Sequence, residues 1–553
     1  MNRKYIVITA ILLFKAFYSL AQSSSLANRY LDTAVAYQRT VKNYLIALKY
    51  YDLAIKEGND GNYTYYNAAQ CACQAGQTEK AIDYYKKGFA KFMDYNNYEY
   101  FATDTLIKCF SDTPDWKHYL SIMKPKYDSA QVVRANYLKS IHDSTKRMNS
   151  SLLSDPIKIV KFLKNKSAQQ TIAWIKNYNS FPNPPVKSHS TLYQIKVNDS
   201  LIVPFLVYIP KSYNPAKKNK LFVFLHGAVS QRPAFYSAPM SPDDQHRKAL
   251  QKPIDDGAII IYPLAKKGFN WLYNLSAFET ILKEISFVKS IYNIDDNKVF
   301  LGGHSDGGIG TFWMATHKSY PFAGFLGLNY FPMSYFNNTC LANLKNNTPF
   351  YGISTTDDGT FNIASVTNIK NYGSSIGDNW HSFTLPGEHG MPFDEPGSIS
   401  FAYDSLFNHI RKPFPKHIEW ETDDVKNGRA YWLEITQLDT LQNKATWHKE
   451  YNPPATQINA RTAKYNFNPH KSGAITATWH GNTIAVHVSR VKAFTIYVSP
   501  EMIDLNKPLT ITVNGNAVWT KKVVIDKETI VDEFIKTKDR DLIIVKKIKV
   551  ELE

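Results

Sequence analysis

At 553 residues the chain has room for about two to four domains, each burying its own core. Its 44% hydrophobic and 20% charged residues exclude a disordered polymer, and only four cysteines argue against a disulfide framework. The net charge of +17 is spread over short runs such as Lys217-Lys218-Asn219-Lys220 and Lys546-Lys547. No nucleic-acid-binding motif accompanies them, so DNA and RNA are not expected partners, although a basic surface suits acidic polymers.

Residues 1–21 read as a secretory leader: Arg3 and Lys4, a ten-residue apolar core from Tyr5 to Phe14, and the small-x-small site Ser19-Leu20-Ala21. Lys15 leaves that core too short to span a bilayer, and no other stretch approaches the length of a span. The expectation is an exported protein, periplasmic or extracellular, with no membrane span in its mature form. Residues 22–175 are helical and rich in tyrosine. Ala47-Leu48-Lys49-Tyr50-Tyr51-Asp52-Leu53-Ala54-Ile55 recurs 34 residues later as Ala81-Ile82-Asp83-Tyr84-Tyr85-Lys86-Lys87-Gly88-Phe89. That period resembles the tetratricopeptide repeat, whose small residues let paired helices pack closely, over about two copies near 31–94. Cys71 and Cys73 point to different faces of such a helix and have no second ligand pair nearby, so zinc is not expected.

Phe181-Pro182-Asn183-Pro184-Pro185-Val186 marks a boundary. Residues 188–412 then alternate short apolar strands with helical stretches. Strands are predicted at 192–197, 203–209, 221–225, 258–262, 299–301, 324–328, 350–354 and 382–385, with a helix over 276–291. Wholly apolar strands joined through helices predict a mostly parallel sheet covered by helices on both faces. After Lys412-Pro413-Phe414-Pro415 the pattern changes to alternating strands at 430–435, 474–479, 483–488, 494–498, 509–513, 517–524 and 542–550. Turns at His480-Gly481-Asn482 and Asn514-Gly515 join several of them, so 413–553 reads as an all-β, sandwich-like accessory domain. Trp432, Trp479 and Trp519 on these strands are either core residues or platforms for stacking sugar rings.

The chemistry is concentrated at Gly303-His304-Ser305-Asp306-Gly307, directly after the apolar run Val299-Phe300-Leu301. A strand-to-helix turn this sharp tolerates only glycine where a Cβ would collide, and it leaves the serine at the tip. A serine hydroxyl is a poor nucleophile at neutral pH. It needs a base in reach, a carboxylate to orient that base, and donors for an oxyanion. Gly387-Glu388-His389-Gly390 follows the last predicted strand, which makes His389 the base; His381 begins that strand and His304 adjoins the serine, so neither is placed to act. Asp357 and Asp358 both follow the strand at 350–354. Asp358 is preferred as the orienting carboxylate, with Asp357 the alternative. The N–H groups of Ala228, after Leu225-His226-Gly227, and of Asp306 are the candidate oxyanion donors, while His226 is expected to hydrogen-bond locally. Trp271 and the aromatic group Tyr330-Phe331, Met333 and Tyr335-Phe336 either line a substrate pocket or pack the core.

Together with Val207-Tyr208-Ile209-Pro210 and the Tyr292-Asn293-Ile294-Asp295 to Lys298-Val299 stretch, these motifs resemble the α/β-hydrolase superfamily. The resemblance is to its secreted serine esterases of the feruloyl-esterase and polyhydroxyalkanoate-depolymerase type, and it covers 188–412 with the chain order nucleophile, acid, base. It implies acyl transfer through a covalent acyl-Ser305 intermediate, with no metal and no organic cofactor. Asp306 departs from the family, which commonly carries an uncharged residue there. A carboxylate beside a developing oxyanion would oppose it, so the side chain is expected to turn towards the first turn of the following helix. The expected activity is hydrolysis of a carboxylic ester, with polysaccharide-linked acyl groups one substrate option and the helical repeats a candidate surface for a protein partner. A serine peptidase of the same fold and an inactive scaffold that only binds remain open.

Overall fold

The computed structural model describes residues 26–27, 29–59, 61–91, 98–148, 151–183, 188–230, 234–235, 245–345, 348–453 and 470–552. The predicted leader, 1–21, lies outside the described residues, as does part of the Pro-rich boundary. The N-terminal helices α1 (Tyr44–Lys56), α2 (Asn62–Gln74) and α3 (Thr78–Lys91) pack in sequence against one another. Ala47, Ala54, Ala68, Ala69, Ala72 and Ala81 are all fully buried between them, so the close approach follows from missing side-chain bulk. The low cysteine count did not anticipate a bond here. Cys73 in α2 is disulfide-linked to Cys109 with a Cα–Cα separation of 5.5 Å, while Cys71 faces the other side of the helix as a buried free thiol. Two further helices, α4 (Pro156–Leu163) and α5 (Ala168–Asn177), bury Ile159, Leu163 and Ile175 elsewhere, in the core of the C-terminal sheets.

The central sheet has eight strands: β1 (His189–Asn198), β2 (Leu201–Ile209), β3 (Asn219–Leu225), β4 (Ile259–Pro263), β5 (Ile294–His304), β6 (Gly324–Leu328), β7 (Phe350–Thr355) and β8 (Trp380–Leu385). Their order is β1-β2-β4-β3-β5-β6-β7-β8. The pairs β1–β2 and β2–β4 are antiparallel, and every pair from β4 through β3 to β8 is parallel. Strand periodicity sorts the core onto two faces. Leu221, Val223 and Leu225 of β3 join one apolar cluster, with Phe278 and Ile281 of α6 (Leu275–Ile291) and Phe312 of α7 (Asp306–His317). Phe222 and Phe224, between them in sequence, join the opposite cluster with Tyr403 and Leu406 of α8 (Ser400–Phe407). This mixed sheet with helices on both faces fits an α/β-hydrolase-like domain.

Beyond it the described residues form nine strands: β9 (His417–Thr422), β10 (Arg429–Ala430), β11 (Leu433–Leu438), β12 (Gly473–His480), β13 (Thr483–Ser489), β14 (Val491–Val498), β15 (Pro508–Val513), β16 (Asn516–Lys522) and β17 (Lys546–Glu551). They form a four-stranded sheet, β10-β11-β14-β17, and a five-stranded sheet, β16-β15-β13-β12-β9. Trp420 and Ile475 of one sheet and Phe494 and Ile548 of the other share a single apolar cluster. The predicted strand at 430–435 is broken at Tyr431, whose φ of 54° ends β10 before β11 begins. Likewise 542–545 is not strand, and helix α9 (Lys527–Thr537) lies within the stretch expected to be all-β. Trp432 is wholly buried, and its indole N–H donates to the Pro415 carbonyl at 2.7 Å, so it is core and no stacking platform. Trp479 donates to the same carbonyl at 3.0 Å and is only partly exposed.

Buried charges tie the C-terminal unit to the central sheet. Arg411 grips both oxygens of Asp539, at 2.7 and 3.0 Å, and Lys289 of α6 bridges Asp296 at 2.9 Å and Asp539 at 3.4 Å. Arg540 donates to Asp296 at 3.1 Å, to the Asn293 side chain at 3.0 Å and to the Tyr178 carbonyl at 2.9 Å. Burial alone would raise the Asp539 carboxyl, but the Arg411 guanidinium and the Lys289 ammonium outweigh it and hold the group well below the usual carboxylate range. A carboxyl depressed in the folded state lends stability that is present above its unfolded pKa and lost as pH falls. Asp539→Ala should therefore destabilise the chain by about 3–5 kcal/mol in chemical denaturation at neutral pH, by stranding the buried Arg411 guanidinium. That deficit should shrink as the pH is lowered through the carboxylate range; an equal deficit at all pH values would show that the charge is not what matters.

Candidate active site

The pairing of β3 with β5 determines what meets at the edge of the sheet. Leu225 lies opposite Gly303, so the next residues, His226 and Gly227, run beside His304 and Ser305. Ser305 stands between β5 and α7 at φ 59° and ψ −124°, a conformation outside the ordinary wells. The Ser305 N–H donates to the Leu328 carbonyl at the end of β6 at 3.0 Å, which holds the bend open. The turn is tight enough that a Cβ on Gly307 would sit 1.9 Å from the Leu225 carbonyl oxygen. A Cβ on Gly227 would sit 2.8 Å from the Ser305 Cβ. Both positions require glycine because another piece of backbone or the serine itself occupies the space.

Three predicted side chains converge there. The Ser305 hydroxyl lies 2.9 Å from His389 Nε2, and His389 Nδ1 lies 2.8 Å from Asp358 Oδ2. The second Asp358 oxygen accepts from the N–H groups of Thr360 at 2.7 Å and Phe361 at 2.9 Å, so the carboxylate is buried and fully bonded. With Nδ1–H donated to that carboxylate, Nε2 presents its lone pair to the hydroxyl. Asp357 is not brought to the imidazole: it is exposed, and its carboxylate accepts from the neighbouring Thr356 hydroxyl at 2.9 Å. The extra residues past the end of β7 are what turn Asp358 inward instead.

The histidine loop is held by residues that the sequence did not link to it. The His389 carbonyl accepts from His304 Nε2 at 2.8 Å and from the Asn329 amide at 2.9 Å. The Thr355 hydroxyl donates to the Glu388 carbonyl at 3.0 Å. Phe361 sets its ring edge-on to the His389 ring, with centroids 5.6 Å apart. Chain order gives no hint of these partners, because each lies at a strand end whose neighbours are set only by the sheet. The loop between α1 and α2 also reaches this region. The Asn59 side chain, which accepts from Thr64 at 2.7 Å, stands 3.6 Å from the position a Cβ would take on Gly359.

On the other side of the serine, Ala228 adopts φ 56°. Among the described residues its N–H makes no hydrogen bond to backbone or side chain, as suits a donor reserved for a ligand. His226 is buried and local in its bonding, with Nε2 accepting from the Ala265 N–H at 3.1 Å and Nδ1 lying 2.8 Å from the Gly227 carbonyl. The Asp306 carboxylate, expected to turn towards the first turn of its helix, reaches the loop after β3. It accepts from the Val229 N–H at 2.9 Å, across the gap to the loop after β3. Trp271 is not available to substrate: it is buried, its indole N–H donates to the His226 carbonyl at 3.2 Å, and its ring packs on Gly310 of α7. Tyr330, Phe331 and Met333 are buried too, whereas Tyr335 and Phe336 are half-exposed.

Among the described residues one group of side chains has metal-ligand composition, His317, Cys340 and Asp423. His317 Nε2 is 2.9 Å from the Asn338 carbonyl, and Nδ1 is 2.8 Å from the Thr316 hydroxyl and 3.0 Å from the Trp313 carbonyl. Both ring nitrogens are thus met by oxygen atoms of the protein itself. Burial lowers the His317 pKa to about 4, so the ring is a neutral part of the packing under α7.

No family model matches the chain, and no curated protein matches it. Among solved structures it is similar to a thermostable esterase (TM-score 0.34, 20% identity, 40% of this chain and 63% of that one). It is also similar to an acylaminoacyl peptidase of Pyrococcus horikoshii (TM-score 0.34, 17% identity, 41% of this chain and 43% of that one). A third is a ferulic acid esterase (TM-score 0.33, 14% identity, 40% of this chain and 99% of that one). The chain thus spans less than two thirds of the first two proteins.

The packing around Ser305 gives a direct test. Gly227→Ala is expected to leave the circular dichroism spectrum unchanged and to slow acylation of Ser305 by p-nitrophenyl acetate by about 10²–10³-fold, the cost of misplacing an oxyanion donor. Unaltered acylation would mean that the loop after β3 is remote from the reacting hydroxyl.

Proposed function

We propose that the chain is a serine hydrolase cleaving carboxylic esters through an acyl-Ser305 intermediate. The supporting observation is the unbroken relay from the Ser305 hydroxyl through the His389 imidazole to the buried Asp358 carboxylate. The Ser305 oxygen attacks the ester carbonyl as its proton passes to His389 Nε2. Asp358 steadies the imidazolium by its hydrogen bond and charge without taking the proton. The carbonyl oxygen becomes an oxyanion facing the N–H groups of Ala228 and Asp306, the latter at the positive end of α7. Collapse of the intermediate expels the alcohol, which takes the proton back from His389. Water then attacks the acyl-serine by the same route in reverse roles.

The same reading assigns 1–21 to an export leader, 22–175 to a helical tetratricopeptide-like unit, 188–412 to the catalytic domain and 413–553 to a sandwich-like accessory domain. The Cys73–Cys109 bond supports an oxidising destination, periplasmic or extracellular. An acylated polysaccharide is the proposed substrate carrier, with Trp519 on the edge strand β16 the remaining aromatic platform. The helical unit, whose α1–α2 loop abuts Gly359, is the proposed seat of a protein partner.

Acetyl, feruloyl, longer-chain acyl and aminoacyl-amide substrates should be compared on the native chain and on Ser305→Ala. The expected result is ester turnover lowered by at least about 10⁴-fold in the variant. Preferential turnover of the amide would assign a peptidase, and ester turnover unchanged in Ser305→Ala would refute the mechanism.

A further inference from the structure

Asp306 is the one charged side chain that adjoins Ser305 in sequence, and its bonding gives it a task beyond starting a helix. It opens α7, yet its carboxylate leaves the helix to accept the Val229 N–H at 2.9 Å. Val229 is wholly buried in the core cluster below the sheet, so the anchor point on that loop is rigid. Two residues earlier lies a second restraint. Because His226 Nε2 accepts from the Ala265 N–H at 3.1 Å, the ring proton is on Nδ1 and is donated to the Gly227 carbonyl at 2.8 Å. The peptide bonds here are trans, so pinning the Gly227 carbonyl on one side of its peptide plane aims the Ala228 N–H to the other. Ala228 is therefore held between two hydrogen-bonded neighbours, at a left-handed φ of 56° that its residue type does not favour.

We propose that Asp306 is a positioning residue for the oxyanion donor, and that what it supplies is a hydrogen-bond acceptor and not a negative charge. The proposal rests on the serine-hydrolase reading above. A full negative charge within one residue of the nucleophile opposes an oxyanion, so charge alone would make this residue a liability. An acceptor at this position is another matter. It ties the first turn of α7, which carries the N–H of Asp306, to the loop that carries the N–H of Ala228, and thereby fixes the spacing of the two donors. Geometry of this kind matters in the transition state, when charge reaches the oxygen, and little when neutral substrate binds.

The experiment compares Asp306→Ala, Asp306→Ser and Asp306→Asn with the native chain and with Ser305→Ala, using p-nitrophenyl acetate and thermal melting. Asp306→Ala should lower kcat by about 10–100-fold with KM little changed, and Asp306→Ser should do the same, because its hydroxyl is polar but too short to reach Val229. Asp306→Asn keeps an acceptor oxygen at the same reach without the charge, and it should recover at least tenfold of the lost kcat. An Asp306→Ser or Asp306→Ala enzyme as fast as the native chain would overturn the proposal. So would Asp306→Asn remaining as slow as Asp306→Ser at matched stability, since the charge would then be the essential feature. Ser305→Ala separates the two levels of the argument: full activity in that variant refutes the hydrolase reading itself, whereas its inactivity alongside an indifferent Asp306 refutes only the positioning role.

Discussion

The bend at Ser305 sets the terms for everything around it. A chain leaving a central parallel strand must reverse into a helix within one residue, and the backbone there stands at φ 59° and ψ −124°, at a cost of about 1–3 kcal/mol. Such a residue persists only where its surroundings leave no alternative. Here the Ser305 N–H is bonded to β6, while the end of β3 presses so close to α7 that a side chain on Gly307 has no room. The same crowding brings the loop after β3, Ser305 and the first turn of α7 close to one another. Strain and pre-organisation are two aspects of one contact.

How far this could be read in the sequence depends on whether a feature is local. The bend, its flanking glycines and the eight strands of the central sheet are short-range patterns, and each expected strand occurs, although β5 begins at Ile294, five residues before its expected start. His389 and Asp358 were placed by chain order relative to strand ends, and the parallel order of β5 to β8 brings both to the same edge as Ser305. What stayed hidden is relational. Trp271 reads equally as a pocket wall or as core, and only the packing of its ring on Gly310 decides for core. The partners of the His389 loop, among them His304, Asn329 and Thr355, lie far apart in the chain, and no local pattern links them to it. The break at Tyr431 requires a positive φ at an aromatic residue, which no propensity would suggest.

The buried charge network explains why the C-terminal sheets are not a loosely tethered appendage. Asp296 and Asp539 are each bonded to two cationic side chains, and Arg540 also reaches backbone carbonyls of β5 and of the segment after α5. Buried ions of this kind contribute little net stability compared with apolar residues of equal size, but any displacement that unpairs them is costly. They therefore serve to fix one arrangement. That arrangement includes β5 itself, the strand that ends just before Ser305.

The central claim is that Ser305 is nucleophilic because His389 removes its proton. The most direct measurement is to treat the folded chain with a fluorophosphonate and locate the adduct by peptide mass spectrometry. The account predicts a single adduct on the peptide bearing Ser305, formed at a rate that falls by at least about 10³-fold when His389 is replaced by alanine. A folded chain that takes no label at Ser305, or takes it as fast without the imidazole, would contradict it.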